Sequence, residues 1–359
     1  MTGSKKSSEY RPQLDGLRLL CVFITIFNHV PGGGAGFVWI NGTVGVDIFF
    51  ALSGFLITTL LINEATNKPQ ISIRSFYIRR LFRIAPLYFI AFALSCIAAI
   101  VLSQIGQPEK LEQMHVSWLW ITTFNRELCP KECSSFFGHS WSIGIEEKFY
   151  ILWPLLFAMT YRRYIAVLLT ATITAAIGAV IFLEPFQARG YCGILFGCVV
   201  AYLNFSFHSI IGAPALWLIA MTAVYASLFF VESPYENLLI SLTGALFVAA
   251  LYKNSDSRTA KVFGARIPAS LGKLTYGVYL FHVLAINAVE IVLARLHLVF
   301  VSNRLVVGLL AYVLATFIAY VLYRLVERPM IDVGRMLSTR LAVTKDAHAL
   351  AARPDKTRR

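Results

Sequence analysis

Charged residues are scarce in this sequence. Aspartate, glutamate, lysine and arginine together make up 14% of its 359 residues, whereas hydrophobic residues make up 57%, and the mean hydropathy is +0.67. A soluble globular domain carries about 25% charged residues. The composition therefore excludes an ordinary water-soluble protein and indicates a chain that buries most of its surface in lipid.

The motifs of several soluble enzyme classes are also missing. There is no GxxxxGK phosphate-binding loop, no HExxH, no GxSxG and no pair of CxxC motifs with zinc-ligand spacing. These absences argue against a P-loop nucleotidase, a zinc hydrolase and an α/β-hydrolase. No metal site is predicted.

Apolar segments of helical length are what the sequence does contain. Crossing a bilayer takes about 20 residues, and in lipid a helix satisfies its own backbone groups whereas an open sheet does not. The pattern predicts an all-α, polytopic transmembrane bundle of about ten spanning helices. The predicted spans are 14–31, 42–63, 82–104, 140–160, 164–183, 190–204, 211–231, 237–252, 270–294 and 304–326. The segment 116–124 is too short to cross and is predicted to be re-entrant or interfacial.

The distribution of basic residues predicts the orientation of these spans. If the N-terminus is cytoplasmic, most of the 32 lysines and arginines lie inside, as the positive-inside rule expects. This accounts for the net charge of +13 without a nucleic-acid partner. Both termini are then cytoplasmic, with an N-terminal segment 1–13, a transmembrane domain 14–330 and a basic tail 331–359, disordered or membrane-associated from 336. The outer basic residues are Lys110, Arg126, Lys131, Lys148, Arg189, Arg295 and Arg304.

Two of the six cysteines lie in a polar segment. Cys129 and Cys133 fall in the predicted outer loop 105–139. On an oxidising face of the membrane a disulfide is plausible, and two free thiols are the alternative. The sequence leaves both open.

The first span contains two ionisable residues, which are costly in lipid and therefore functional candidates. Arg18 and His29 are eleven residues apart, about 16 Å along a helix and close to three full turns. A histidine is suited to take up a proton near neutral pH. His29 is thus a candidate general base, and the alternative is a neutral histidine bonded to a neighbouring carbonyl.

Asp47 lies in the second span at a depth similar to that of His29. One hypothesis is that Asp47 orients His29, as an aspartate does in a catalytic triad. The alternative is a cap at the outer end of the span. Further along the same span, Ser53 and Gly54 are predicted to form a face where helices approach closely.

Arg79, Arg80 and Arg83 cluster at the cytoplasmic end of the third span. Ordinary positive-inside anchoring would account for them. Guanidinium groups also match phosphate geometry. Together with Arg18 on the same side, the cluster predicts an anionic ligand from the cytosol.

The fourth span begins with a crowded polar segment containing His139, Glu146, Glu147 and Lys148. Adjacent residues leave a helix in different directions, so one carboxylate is expected to reach a site and one to pair with Lys148. A purely structural ion pair is the alternative.

Two further polar residues are weaker signals. His282 lies near the middle of the membrane, and Glu327 begins an ERP segment. That segment is predicted to stop the last helix, because proline interrupts helices.

Taken in order, these segments resemble acyltransferase family 3, membrane enzymes that O-acylate exported carbohydrates and some antibiotics. The resemblance extends from about residue 10 to residue 330. The segments that carry it are YRPQLDGLRLL, GVDIFFALSGFLIT, FYIRRLFRIAPLY, HSWSIGIEEKFYILWPLL, YGVYLFH and ERP.

The resemblance implies an acyl-CoA donor, acetyl-CoA before longer thioesters, that enters from the cytoplasm. His29 matches the family's essential histidine, Arg18 its paired basic residue, and Arg80 with Arg83 its Arg-x-x-Arg. Glu146 or Glu147 falls in its glutamate segment. Some members carry a C-terminal extracytoplasmic hydrolase-like domain, which is not expected in the short tail of this chain.

The expected function is therefore a membrane O-acyltransferase of the bacterial inner membrane acting on a carbohydrate or glycolipid hydroxyl. His29 is the expected base, with Asp47 or a glutamate orienting it, and an acyl-enzyme on His29 is a variant. The competing interpretation is a polytopic transporter or flippase that uses the same intramembrane charges. The expected donor-binding residues are Arg18, Arg79, Arg80 and Arg83.

Overall fold

The computed structural model describes residues 10–31, 43–68, 70–130, 133, 137–161, 165–183, 185–206, 212–227, 236–298 and 303–351. Within these residues the regular structure is helical and contains no strand, which confirms the all-α prediction. The α-helices are α1 (Pro12–His29), α2 (Thr43–Asn67), α3 (Ile73–Gln104), α4 (Pro108–Thr122), α5 (Trp141–Thr160), α6 (Ile165–Phe182), α7 (Pro185–Ser206), α8 (Pro214–Ser227), α9 (Glu236–Lys253), α10 (Arg258–Phe263), α11 (Arg266–Gly272), α12 (Thr275–Arg295), α13 (Arg304–Leu322) and α14 (Arg328–Ala351).

A helix lies in each of the ten predicted spans, and several are long and apolar enough to cross a bilayer. Among the described residues, five helical stretches meet both conditions: Thr43–Asn67, Ile73–Gln104, Gln187–Ser206, Thr275–Arg295 and Arg304–Leu341. The chain is therefore an integral membrane protein. The number of ten spans remains a prediction, because α1 and α5 carry charged residues and α8 has only 14 residues. The cytoplasmic position of both termini also remains a prediction.

Helix α2 lies at the centre of the bundle and packs against α1, α7 and α9. Its contact with α7 depends on two glycines. A Cβ atom on Gly54 would lie 2.0 Å from the carbonyl oxygen of Ile194, and one on Gly197 would lie 2.1 Å from that of Ala51. Any side chain at these positions would push the backbones apart. The close-packing face predicted at Gly54 is confirmed.

The last predicted helix does not stop at the ERP segment, so the prediction of a helix end there was wrong. A π-helical turn, Tyr323–Glu327, leads directly into α14. Pro329 does not end the helix, although it has no N–H to donate to the preceding turn. The π-helical turn just before it shifts the backbone hydrogen bonds by one residue, with the Arg328 N–H donating to the Tyr323 carbonyl.

Disorder was one of two predictions for the tail from residue 336. It is wrong for the described part of the tail, which is helical. Helix α14 extends to Ala351 and packs against α3, with Ser75 Oγ donating to the Ser338 carbonyl at 3.3 Å. Residues 1–9 and 352–359 of the two predicted terminal segments lie outside the described residues.

The described residues between α4 and α5 pack against both helices. The predicted re-entrant or interfacial stretch 116–124 falls mainly in α4, which at 15 residues is too short to cross and packs against α3. Beyond it, Cys129 and Cys133 form a disulfide. Lys148 pairs with the buried carboxylate of Glu127 and donates to the Phe124 carbonyl at 2.7 Å. The expected pairing of Lys148 with a neighbouring glutamate was therefore wrong, and the ion pair instead fastens this segment to α5.

Candidate active site

A cavity of about 540 Å³ opens between α1, α2, α3, α5, α12 and α14. Both charge signs line it. The predicted topology places the start of α1 and the start of α3 on the cytoplasmic side, so the cavity faces the cytosol in that topology. Its polar lining includes Tyr10, Asp15, Arg18, Ser53, Arg80, Arg83, Ser142, Glu146, Glu147, Lys273, Tyr276, Tyr279, Glu327 and Arg335.

Three of the four predicted donor-binding arginines line this cavity. Arg18 forms an ion pair with Asp15 at 3.1 Å, and the guanidinium of Arg80 lies 4.6 Å from the centre of the Tyr150 ring. Arg83 completes the group. Arg79 is not among the lining residues, because one step along a helix turns a side chain by about 100°. The structure thus separates Arg79 from the cluster in which the sequence placed it.

Both predicted carboxylates reach the cavity, whereas only one was expected to. Glu146 accepts a hydrogen bond from Ser53 Oγ at 2.5 Å, and one oxygen of Glu147 is buried without a partner among the described residues. Helix α5 turns a broad face to the cavity, on which Ser142 and Tyr150 also lie. A face this broad accommodates two adjacent side chains.

Glu327 also lines the cavity, although the sequence predicted only a helix end at this residue. It is 4% exposed, and its Oε2 has no hydrogen-bond partner in the described structure. It occupies the π-helical turn that joins α13 to α14. Turns of this kind occur frequently at functional sites, but nothing in the sequence distinguished this one from an ordinary helix end.

Three histidines lie in contact beside the cavity. The ring centroids of His29 and His282 are 4.8 Å apart, and those of His282 and His139 are also 4.8 Å apart. Among the described residues, no group of three or more His, Cys, Asp or Glu side chains is arranged to hold a metal ion. We refer to His29, His139 and His282 as the histidine cluster.

Each ring of the histidine cluster is held by a backbone carbonyl. His29 Nδ1 lies 2.9 Å from the Thr25 oxygen, His282 Nδ1 2.5 Å from the Tyr279 oxygen, and His139 Nε2 3.2 Å from the Leu280 oxygen. A carbonyl only accepts hydrogen bonds, so these nitrogens carry the hydrogen. In the neutral imidazole the other nitrogen is then a lone-pair acceptor, which for His29 is Nε2.

Tyr279 forms the boundary between the cavity and the histidine cluster. It lines the cavity, its hydroxyl donates to the His139 carbonyl at 2.8 Å and lies 2.6 Å from Ser142 Oγ, and its ring centroid is 5.4 Å from that of His282. His29 is not a lining residue and is exposed at the C-terminal end of α1. Tyr279 and His282 therefore stand between His29 and the cavity.

Asp47 is placed away from His29. Its Oδ1 accepts from Arg189 Nε at 2.8 Å and its Oδ2 has no hydrogen-bond partner in the described structure, so the carboxylate joins α2 to α7 and makes no hydrogen bond to the histidine. The geometry does not support the hypothesis that Asp47 orients His29. This end of α1 is held instead by Arg304 at the start of α13, whose guanidinium donates to the Phe27 carbonyl at 2.9 and 2.6 Å.

Comparison with known proteins identifies the family of the chain. The family model described as an acyltransferase domain matches residues 11–324. The chain belongs to acyltransferase family 3. This confirms the resemblance inferred from the ordered segments and, with it, the predicted class of enzyme.

Curated proteins similar to this family 3 protein include O-acetyltransferases. The O-acetyltransferase OatA of Staphylococcus aureus (strain NCTC 8325 / PS 47) is 27% identical over 368 residues, covering 90% of this chain and 58% of the relative. The peptidoglycan O-acetyltransferase OatA of Listeria monocytogenes is 25% identical over 320 residues, covering 78% and 50%. The chain thus spans between 50% and 58% of the length of these relatives. No solved structure matches it.

Proposed function

We propose that this protein is a membrane O-acetyltransferase that moves an acetyl group from cytoplasmic acetyl-CoA to a carbohydrate hydroxyl at the outer face of a bacterial inner membrane. The single observation that carries the proposal is the arrangement of one arginine-lined cavity that ends, through Tyr279, against the histidine cluster. Family membership supports the reaction class.

The donor side of the proposal rests on charge and shape. Coenzyme A is a polyanion with a long, thin thioester arm, and Arg18, Arg80 and Arg83 offer guanidinium groups to its phosphates. Along α5 the lining extends from Tyr150 to Ser142, about 12 Å of helix. We infer that this stretch receives the arm and that the thioester stops near Tyr279.

The acceptor side rests on the exposure of His29 and on the relatives. His29 lies at the outer end of α1 in the predicted topology, where a hydroxyl from outside the cell can reach it. One relative is named a peptidoglycan O-acetyltransferase. We therefore propose peptidoglycan or another exported carbohydrate as the acceptor class.

The chemistry proposed for His29 follows from its hydrogen bond. With Nδ1 donating to the Thr25 carbonyl, Nε2 presents its lone pair and accepts the proton of the acceptor hydroxyl as the hydroxyl oxygen attacks the thioester carbon. The carbon–sulfur bond then breaks and the coenzyme leaves as a thiolate, which takes up a proton. General-base help of this kind contributes roughly 10² to 10⁴ in rate.

Direct transfer requires the thioester and His29 to meet, although Tyr279 and His282 lie between them in this structure. A rearrangement of Tyr279, or an acyl group carried first by the protein, would remove the separation. Labelled acetyl-CoA without acceptor distinguishes the two routes, because an acyl-enzyme retains the label on the purified protein.

The deciding experiment is transfer of radiolabelled acetyl from acetyl-CoA to an exported glycan by the protein reconstituted in vesicles. We expect label in the glycan with wild-type protein and about 10² to 10⁴ less with His29→Ala. Absence of transfer from any acyl-CoA by correctly folded wild-type protein would refute the proposal and would leave the transporter interpretation.

A further inference from the structure

A second cavity, of about 420 Å³, lies apart from the active site. The start of α1 borders it, together with the C-terminal ends of α2, α7 and α9, four helix ends that the predicted topology places on the cytoplasmic side. Arg11 lines this cavity, whereas its neighbour Tyr10 lines the first one. The two cavities therefore lie on opposite sides of the beginning of α1.

The lining of the second cavity is cationic. Arg11 and Lys253 contribute two positive charges, and none of its described lining residues is acidic. The first cavity differs in this respect, because four carboxylates lie among its five basic residues: those of Asp15, Glu146, Glu147 and Glu327. Two cations and no carboxylate among the described lining residues favour an anion.

Neutral polar groups in the same cavity are left without partners. Thr59 Oγ1 and Asn204 Oδ1 are buried and make no hydrogen bond to the described residues, and Asn63 lies one turn from Thr59 on α2. Burying a polar group without a partner costs about 1–3 kcal/mol. A ligand that carries both acceptor oxygens and a hydroxyl would satisfy these side chains.

Apolar and aromatic side chains complete the wall. The guanidinium of Arg11 lies 5.0 Å from the centre of the Tyr252 ring, which fixes the cation by a cation–π contact. Phe205, 41% exposed, lines the same cavity. Exposed apolar surface beside a cationic pocket suits an amphiphile with a phosphate headgroup.

We propose that this second cavity is a binding site for a phosphate ester that also bears hydroxyl groups, such as the headgroup of an anionic phospholipid or the equivalent soluble glycerol phosphate. Arg11 and Lys253 hold the phosphate, and Thr59 with Asn204 bonds the hydroxyls. The site is separate from the first cavity and does not depend on the proposed acetyl transfer.

Binding to the full-length protein in detergent tests the site. The probes are dihexanoyl phosphatidylglycerol, glycerol 3-phosphate and dihexanoylglycerol, a matched neutral lipid without phosphate, each titrated by microscale thermophoresis. We expect saturable binding of at least one phosphate probe, and binding of dihexanoylglycerol about 10- to 100-fold weaker, as the loss of charge-assisted hydrogen bonds implies. Binding of phosphatidylglycerol alone assigns the site to a lipid, and equal binding of glycerol 3-phosphate assigns it to a free ester.

Variants test whether the phosphate probes bind in this cavity. R11Q/K253Q should weaken the phosphate probe by about 10- to 100-fold, whereas Lys261→Gln, an exposed lysine of α10 outside the cavity, should leave it unchanged. Thr59→Val, nearly the same shape, gives a second test if the double variant fails to fold. The proposal is overturned if neither phosphate probe binds, if the neutral lipid binds as tightly, if folded cavity variants bind like wild type, or if coenzyme A displaces the probe competitively.

Discussion

The first cavity and the histidine cluster share helices α1 and α12, but they differ in how closely their side chains pack. Helix α1 supplies Arg18 to one and His29 to the other, and α12 supplies Tyr279 and His282 in the same way. In the cavity, long charged side chains surround an open space. In the cluster, rings pack directly against one another and backbone carbonyls hold their nitrogens. Under the proposed function, the cavity selects the donor by charge and the cluster fixes the geometry of proton transfer.

The largest expected effect removes the proposed base. His29→Ala should lower acetyl transfer by about 10² to 10⁴, measured as radiolabelled acetyl incorporated into glycan. The control is His115→Ala, which removes an exposed histidine of α4. Equal loss in both variants, or full activity in His29→Ala, would contradict the proposed role.

The next effect separates two adjacent arginines. Arg80→Ala removes a guanidinium from the cavity, and we expect the KM for acetyl-CoA to rise about 10- to 100-fold, because a hydrogen bond between charged groups is lost, with kcat less affected. Arg79→Ala removes the neighbouring charge that does not line the cavity. Initial-rate kinetics at constant ionic strength measure both, and equal KM values would show that only the general positive charge matters.

A smaller effect tests the boundary between the two regions. Tyr279→Phe keeps the ring that contacts His282 but removes the hydroxyl that bonds to the His139 carbonyl. We expect kcat to fall by about tenfold, the rate equivalent of one hydrogen bond, while the KM for acetyl-CoA changes little. A change confined to KM would place Tyr279 in donor binding instead.

The smallest effect on chemistry is expected at Asp47. Asp47→Asn weakens the buried pair with Arg189 and should lower the thermal unfolding temperature, since breaking a buried pair costs about 3–5 kcal/mol. The pH dependence of kcat in the protein that remains folded should match wild type. A shifted pH profile without a loss of stability would restore Asp47 as the residue that orients His29.

The sequence predicted the active-site helices better than the contacts between their side chains. Arg18, Arg80, Arg83, Glu146 and Glu147 could be found because an ionisable residue in an apolar segment is costly and therefore conspicuous. The partner of Asp47 could not, because Arg189 is 142 residues away in the sequence. Nothing local in the sequence indicates which distant helix will face a given carboxylate.

Glu327 and His282 show a second limit. Glu327 precedes a proline, and the segment was interpreted as a helix end, but a π-helical turn continues the chain and buries the carboxylate in the cavity. His282 stood out only as one polar residue in an apolar helix. Its place between His29 and His139 depends on how α1, α12 and the segment before α5 pack together.

The sequence by itself determined that this chain is an all-α membrane protein and, through the order of its segments, that it belongs to acyltransferase family 3. Hydropathy and the cost of charge in lipid act locally, so they can be recognised in consecutive residues. The tertiary structure alone decided that Arg80 and not Arg79 faces the cavity, that Asp47 pairs with Arg189, and that Tyr279 separates the cavity from His29. Those outcomes depend on helix rotation and on which helices pack together, and packing joins residues that are far apart in the sequence.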